Sequence, residues 1–431
     1  MRHRGAARPV PAQNALYAQS GGVTATINAT ACGVIEAARK HRSRIGRVYA
    51  ARNGILGALQ EDLIDTNAES AAAIRALMHT PGGAFGSCRF DLSPLPQGRA
   101  QYERLIEVFR AHDIGYFFYN GGNGSAETAH QIATVLPRLG WPVVSLAVPK
   151  TIDNDIVHSD SSPGFGSVAK FVATSMREAM ADLASMANSS TKVFVMEVMG
   201  RYTGWIAAAC GLALPAGKDG PLLLLVPEIH FDRERFLAAV RIRIARHGWC
   251  AVAVAEGLKL RDGRRLTQAG SDGIPGHEQL GGVAPVIAAM VRSALKVKVH
   301  WGVLDYVQRA ARHLASQTDV AQAYAVGRAA ITCALQGKTD VMPVIERISD
   351  RPYRWRVAPA ALAGIMNREK RLPRAFLTAD GWRLTARARA YFTPLVQGEA
   401  WPPFANGLPV HARLKLKPVR RHLQSTFRDT P

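Results

Sequence analysis

Apolar residues along the chain fall into short runs, and each run stops at a glycine or a polar cluster. Such runs read at residues 14–20 (NALYAQS), 47–60 (RVYAARNGILGALQ, a strand and its turn), 114–120 (IGYFFYN), 143–148 (VVSLAV), 192–201 (KVFVMEVMGR), 222–228 (LLLLVPE) and 249–257 (WCAVAVAEG). Apolar runs of this length bounded by turn residues predict buried strands. Between them lie stretches with apolar residues at helical spacing: 23–40, 126–136, 167–187, 233–246 and 317–337. Residues 299–313 carry Tyr306 and Arg309 three apart, which places both on one helical face. Strands alternating with helices predict an α/β protein. The expected fold is two Rossmann-like three-layer lobes with mainly parallel sheets and an interlobe active-site cleft. From about residue 347 the periodicity weakens and Arg, Trp and Pro accumulate, so an appended segment packing on the lobes or on a neighbouring subunit is expected.

The strand ends carry the candidate chemistry. After VVSLAVP comes Lys150, Thr151, Asp153, Asn154 and Asp155, a cation, a hydroxyl and two carboxylates within one turn. Open α/β sheets build their sites at strand carboxyl ends. Asp153 and Asp155 are two apart, so on an extended chain both face the same way. One carboxylate there suits proton transfer and the other a metal or a water; an Asx-rich turn in solvent has the same composition. Gly21-Gly22 lies between a strand and a helix, and GGNGS (121–125) repeats the arrangement. Bare N–H groups at a helix start suit phosphate. Residues 79–91 (HTPGGAFGSCRFD) read as a flexible glycine loop delivering Arg89, whose planar fork matches phosphoryl oxygens. Arg201 and Glu256, at two further strand ends, fit a clamp on a sugar phosphate or a structural ion pair. A Walker A loop is not present, because Gly337-Lys338-Thr339 lacks its upstream glycine.

Composition narrows the class. The chain has 431 residues, 48% hydrophobic and 20% charged, which describes a folded protein of two or three domains. No apolar run is long enough for a membrane span, and the N-terminus lacks the apolar core of a secretory signal, so a cytoplasmic location is expected. Five scattered cysteines with no CxxC argue against a disulfide framework or structural zinc. A net charge of +21 raises a nucleic-acid partner. Much of the excess sits at Arg2, Arg4, Arg8 and residues 411–428, and aromatics are not interleaved with it, so that partner is disfavoured. A basic balance also suits phosphorylated small-molecule ligands.

The motifs SGGVTATINA, GGAFGSCR, GGNGS, PKTIDND, EVMGRYTGW, AEG and LDYVQR, in this order over residues 14 to about 340, resemble the phosphofructokinase family. The lysine in PKTIDND is similar to its pyrophosphate-dependent branch. The resemblance implies the phosphofructokinase fold and transfer of a phosphoryl group from pyrophosphate to the 1-hydroxyl of fructose 6-phosphate, giving fructose 1,6-bisphosphate in glycolysis. It implies Asp153 as general base, with Lys150 and Arg89 on the transferred group. Gly21, Gly22, Gly122, Asn123, Gly124 and Ser125 are implied as donor-binding. Thr151, Asp155, Met199, Gly200, Arg201, Glu256, Tyr306 and Arg309 are implied as substrate-binding, the last two at the 6-phosphate. Lys192 and His300 match positions that reach a neighbouring subunit's site, which implies a homodimer or homotetramer. Mg2+ is the implied cofactor, near Asn123 and Asp155. The implied organisation is a basic tail at 1–13, a donor lobe at 14–163 plus about 310–345, a sugar-phosphate lobe at 164–309 and a basic extension at 346–431.

The sequence departs from this pattern at GGNGS. The usual aspartate at its third place is Asn123, a poorer ligand for a hard cation. Pyrophosphate enzymes generally carry aspartate at the fourth place, where Gly124 resembles the ATP form. Lys150 therefore points to pyrophosphate and Gly124 to ATP. Lys150 carries more weight, because it fills space an ATP would use. An ATP-dependent phosphofructokinase and a catalytically weakened regulatory homologue remain the alternatives.

Overall fold

The computed structural model describes residues 12–217, 219–267 and 281–427; most of the expected basic N-terminal tail lies outside them. The apolar runs become strands and the strands form two main sheets. The larger has seven strands in the order β11-β10-β5-β4-β1-β2-β3: β1 is Gln13–Gln19, β2 Ile45–Ala51, β3 Leu63–Asp65, β4 Ile114–Gly121, β5 Val144–Pro149, β10 Val341–Asp350 and β11 Tyr353–Ala361. Its centre is parallel, and only β2–β3 and β10–β11 pair antiparallel. The smaller sheet is parallel throughout, in the order β7-β8-β6-β9: β6 is Val193–Val198, β7 Leu222–Leu225, β8 Cys250–Ala255 and β9 Val299–Val303. The β4 residues are all buried, as expected for a strand covered by helices on both faces. Tyr17, Phe117, Phe118 and Tyr119 fill the larger lobe, and Val195, Val252 and Leu223 the smaller.

Three details differ from the sequence reading. Residues 299–303 are a strand, and the helix carrying Tyr306 and Arg309 is the short Asp305–Ala310. Strand β10 runs through position 346, and β11 follows it as the sheet's edge, so the segment read as aperiodic begins inside the larger sheet. The stretch from 79 to 91 has little regular structure, yet it is pinned rather than flexible. Asn28 Nδ2 donates to Thr80 O at 2.8 Å and Gly82 O at 2.9 Å, Gly21 N donates to Cys88 O at 2.8 Å, and Phe85 is buried beneath.

A buried polar joint links the two helices that flank the sheets. Asp319, in the helix Gln317–Leu335, accepts from Gly164 N at 2.9 Å and from Ser167 N at 3.0 Å, at the start of the helix Phe165–Met186. It also accepts from Ser167 Oγ at 2.5 Å. A carboxylate there satisfies N–H groups that a helix start leaves open. Asp319→Ala leaves these buried donors without an acceptor and is expected to cost about 3 kcal/mol of unfolding free energy. Urea denaturation measures it; a loss of less than about 1 kcal/mol would show the carboxylate to be dispensable.

Candidate active site

Three strand ends of the larger sheet meet at one level, because Gln19 is paired with Asn120 and Gly121 with Pro149. The chain leaves β1 toward β2 on one side, while β4 lies on the other. That reversal opens a crevice at the carboxyl ends of the strands. β1 delivers Gly21 and Gly22 into it. A Cβ on Gly21, which sits at φ +70°, would lie 3.4 Å from Lys150 Nζ. A Cβ on Gly22 would lie 2.6 Å from Arg309 Nη1 and 3.8 Å from Arg89 Nη2. Bare backbone thus lies beneath three cations. Ser87 Oγ donates to Gly21 O at 2.7 Å, which binds the loop bearing Arg89 to this backbone.

GGNGS is not a free loop. The helix Asn123–Arg138 starts at its third residue, so Asn123, Gly124 and Ser125 form the first helical turn. Gly122 supplies no side-chain cap, which leaves the first N–H groups of this turn available to an anion. Ser125 is buried behind Gly121.

The turn after β5 carries Lys150, Thr151, Asp153 and Asp155. Lys150 is 5% exposed, and burial lowers its pKa to about 8 against the opposing pull of Asp153 and Asp155. The two carboxylates are not on an extended segment, because Asn154 between them has φ +54°. The turn sets each separately. Asp153 N donates to Thr151 Oγ1 at 3.1 Å, and that hydroxyl lies 3.4 Å from Asp153 Oδ2. Asp155 Oδ2 accepts from Asn123 Nδ2 at 3.1 Å. Burial raises both carboxyl groups. Asp155 is pushed to about 7, with the Asp153 charge adding to the effect of burial. Lys150 is the largest counterweight at Asp153.

The smaller sheet presents its strand ends to the same cleft. Val198 is paired with Ala255, so Met199, Gly200 and Arg201 lie level with Glu256 and Gly257. Glu256 N donates to Val198 O at 3.0 Å, and Gly257 N to Gly200 O at 3.1 Å. A Cβ on Gly257 would lie 2.0 Å from Arg201 O, so only glycine fits between the two turns. Glu256 Oε1 accepts from Gly200 N at 3.4 Å, and burial raises its carboxyl pKa. The Arg201 charge bears on both Glu256 and Asp153. Thr203 Oγ1 donates to Asp153 O at 3.1 Å and so ties the end of β6 to the turn after β5.

Tyr306 is exposed, and the Arg309 guanidinium lies 3.9 Å above its ring. The resemblance puts this pair at the sugar's 6-phosphate; in the structure Arg309 also leans over Gly22 beside Arg89. Lys192 and His300 are not brought to this cleft within the chain. They lie at the amino ends of β6 and β9, and the Lys192 ammonium donates to Ala187 O. That is the opposite end of β6 from Met199, roughly 20 Å along the strand.

The sequence reading also missed residues. Gln308 is buried, and its Oε1 accepts from Met199 N at 3.2 Å, which fixes the end of β6. Its only signal was its place in LDYVQR. Lys370, Tyr391 and the side chain of Asn154 gave none. No helix among the described residues is long and apolar enough to cross a membrane.

Helix-start N–H groups, three converging cations and a carboxylate pair define a phosphoryl-transfer enzyme, whose work is positioning and charge neutralisation. Residues 14–334 match the phosphofructokinase family. The pyrophosphate–fructose 6-phosphate 1-phosphotransferase of Methylococcus capsulatus is 56% identical over 416 residues, 96% of this chain and 99% of that protein. The enzyme of the same name from Halomonas elongata is 57% identical over 410 residues, 95% of this chain and 98% of that protein. A crystal structure of a pyrophosphate-dependent phosphofructokinase from Nitrosospira multiformis superposes with a TM-score of 0.89 at 54% identity, covering 97% of this chain and all of that one. This chain belongs to the phosphofructokinase family.

Proposed function

We propose that the chain transfers a phosphoryl group from pyrophosphate to the 1-hydroxyl of fructose 6-phosphate. The observation that carries the choice of donor is Lys150, whose buried ammonium stands over Gly21. A compact anion suits a fixed point charge there. The two relatives described above, both bearing the pyrophosphate name, match along nearly the whole chain.

In this reading Gly21, Gly22 and the helix start at Asn123 hold pyrophosphate, and Lys150 and Arg89 neutralise the group in flight. The sugar lies against Met199, Gly200, Arg201 and Glu256, with Thr151 beside its reacting end. Its 1-oxygen attacks the near phosphorus, the bridging P–O bond breaks, and orthophosphate leaves. Asp153 takes the hydroxyl proton. Arg309 spans the two phosphate ends of the site. Lys192 and His300 complete the pocket of a second copy of the chain, which makes the working form a homo-oligomer. The setting is cytoplasmic.

A divalent cation, Mg2+ in this reading, fits the residues present. Asn123 Oδ1 and Asp155 Oδ1 are buried oxygens with no hydrogen-bond partner among the described residues. A Cβ on Gly124 would lie 3.4 Å from Asp91 Oδ1, so an acid stands at this rim although 123 and 124 carry none. When bound, the cation would neutralise pyrophosphate oxygens. Asn123→Asp adds a carboxylate beside Asp155. The Mg2+ concentration for half-maximal rate is expected to fall severalfold, and Mg2+ to raise the variant's Tm more than the parent's. An unchanged Mg2+ titration and Tm response would remove Asn123 from the metal site.

The function is tested by assaying fructose 6-phosphate phosphorylation with Mg2+ and either donor. Turnover with pyrophosphate and not with ATP is expected. Turnover with ATP alone would overturn the donor assignment, and turnover with neither would overturn the reaction.

A further inference from the structure

The segment after β11 was the least legible part of the sequence, yet it reaches the floor of the cleft. Lys370 N donates to Asp155 O at 2.7 Å, and Trp205 Nε1 donates to Lys370 O at 2.8 Å. Two residues on, Leu372 N donates to Glu228 Oε1 at 3.0 Å, and the same oxygen accepts from Gly204 N at 3.0 Å. The backbone of 370–372 therefore fastens the catalytic turn of one lobe to the Gly204-Trp205 turn of the other.

The Lys370 side chain does more than follow. Its ammonium donates to Asn154 Oδ1 at 3.2 Å, to Ser159 O at 2.8 Å and to Asp160 O at 2.8 Å, with the Trp205 ring 5.2 Å away. Three donors meet three acceptors, so the group is fully satisfied. None of those acceptors is a carboxylate. The residue is half-buried and its ammonium desolvated, and the Asp160 and Asp155 charges act on it while its hydrogen bonds go to neutral oxygens, a costly way to build a core. Asn154 is gripped from its other end as well. Its Nδ2 donates to the Tyr391 hydroxyl at 2.9 Å, from the helix Ala386–Leu395, and that hydroxyl donates to Asp160 O. Asn154 Oδ1 also accepts from Ser162 N at 3.0 Å. Asn154 is fully buried in the left-handed conformation, and its neighbours in the chain are Asp153 and Asp155.

We propose that Lys370 and Tyr391 are positioning residues for phosphoryl transfer. They clamp the Asn154 side chain and thereby hold Asp153 and Asp155 in register with the opposite lobe. The inference rests on the reading of Asp153 as the base. It assigns the carboxy-terminal segment a part in the chemistry without contact with either substrate.

The test uses the full chain with pyrophosphate, fructose 6-phosphate and Mg2+, and compares the parent with Lys370→Met, Tyr391→Phe and Asn154→Gly. Glycine tolerates the left-handed backbone at 154 and removes the side chain that Lys370 and Tyr391 hold, together with its bond from Ser162 N. Lys370→Met is expected to lower kcat about 100-fold, the scale of a small misplacement of reacting groups. Tyr391→Phe is expected to lower it about fivefold, with KM for fructose 6-phosphate within about threefold of the parent in both. Lys370→Met with Asn154→Gly should lose little more than the worse single change, since the two remove one clamp. Wild-type kcat in Tyr391→Phe and Asn154→Gly would overturn the proposal even if Lys370→Met failed to fold. So would losses that only track the folded fraction, or that multiply in the double variant. A parent chain inactive with pyrophosphate would instead overturn the functional reading, and this inference with it.

Discussion

Asp153→Asn is expected to lower kcat by roughly 1,000-fold or more, the scale of a lost general base, with the dissociation constant for fructose 6-phosphate within about threefold of the parent. The amide has nearly the shape of the carboxylate and can still meet Thr151, whose hydroxyl lies 3.4 Å from Asp153 Oδ2. It cannot accept the proton that the 1-hydroxyl must release. Removing its charge also leaves Lys150 and Arg201 with one anion fewer, both of which act on Asp153. Binding of the anionic sugar phosphate should for that reason hold or tighten slightly. Steady-state kinetics and calorimetric binding of fructose 6-phosphate separate the two effects. Equal losses in kcat and affinity would make Asp153 a binding residue and move the base elsewhere.

Lys150→Gly is expected to cut kcat/KM for pyrophosphate by a few hundredfold, in the range found when one preorganised charge on a transferring group is removed. Turnover with ATP, not expected of the parent, should become detectable, because the change opens the space over Gly21 where Lys150 Nζ now stands. The parent's pH profile carries the same signature. Burial lowers the ammonium's pKa to about 8. Its charge is present below that value and lost above it, so pyrophosphate-dependent kcat/KM in the free enzyme should decline as pH rises through about 8. In Lys150→Gly that limb should vanish. A pyrophosphate kcat/KM close to the parent's, or an unchanged alkaline limb in the variant, would separate Lys150 from donor choice.

The site was legible where chemistry sits at the end of an apolar run. VVSLAVP followed by KTIDND, and KVFVMEV followed by MGR, announce a buried strand and its loaded end. A parallel sheet brings such ends to one edge. What the chain does after the edge was harder to read. The extended geometry expected for Asp153 and Asp155 gives way to a left-handed Asn154, a choice made by Lys370, Tyr391 and Ser162 from distant or later chain. Strand β11 (YRWRVAPAA) was missed because arginine and proline disguise it. It is an edge strand, where proline at 359 costs no ladder bond that the sheet needs, and Arg354 and Arg356 face solvent. Strand β10 holds Pro343 because its pairing with β5 is confined to Val341 and Leu146.

The basic carboxy-terminal stretch finds its partner within the chain. Val419 N donates to Leu63 O at 2.8 Å and Asp65 N to Lys417 O at 2.9 Å, so residues 417–419 lie along β3, the far edge of the larger sheet. Glu61, just before β3, receives His422 N and Leu423 N. For a chain made from its amino end, this sets an order of events. The donor lobe's strands emerge early, but the edge at β3 stays open until about residue 419 has left the ribosome. An uncovered edge is a template for another chain. Chains ending shortly before 417 therefore keep the turn after β5 yet leave the β3 margin uncovered. The contacts of residues 417–423 therefore close this margin late in synthesis, an order set by translation rather than by catalysis.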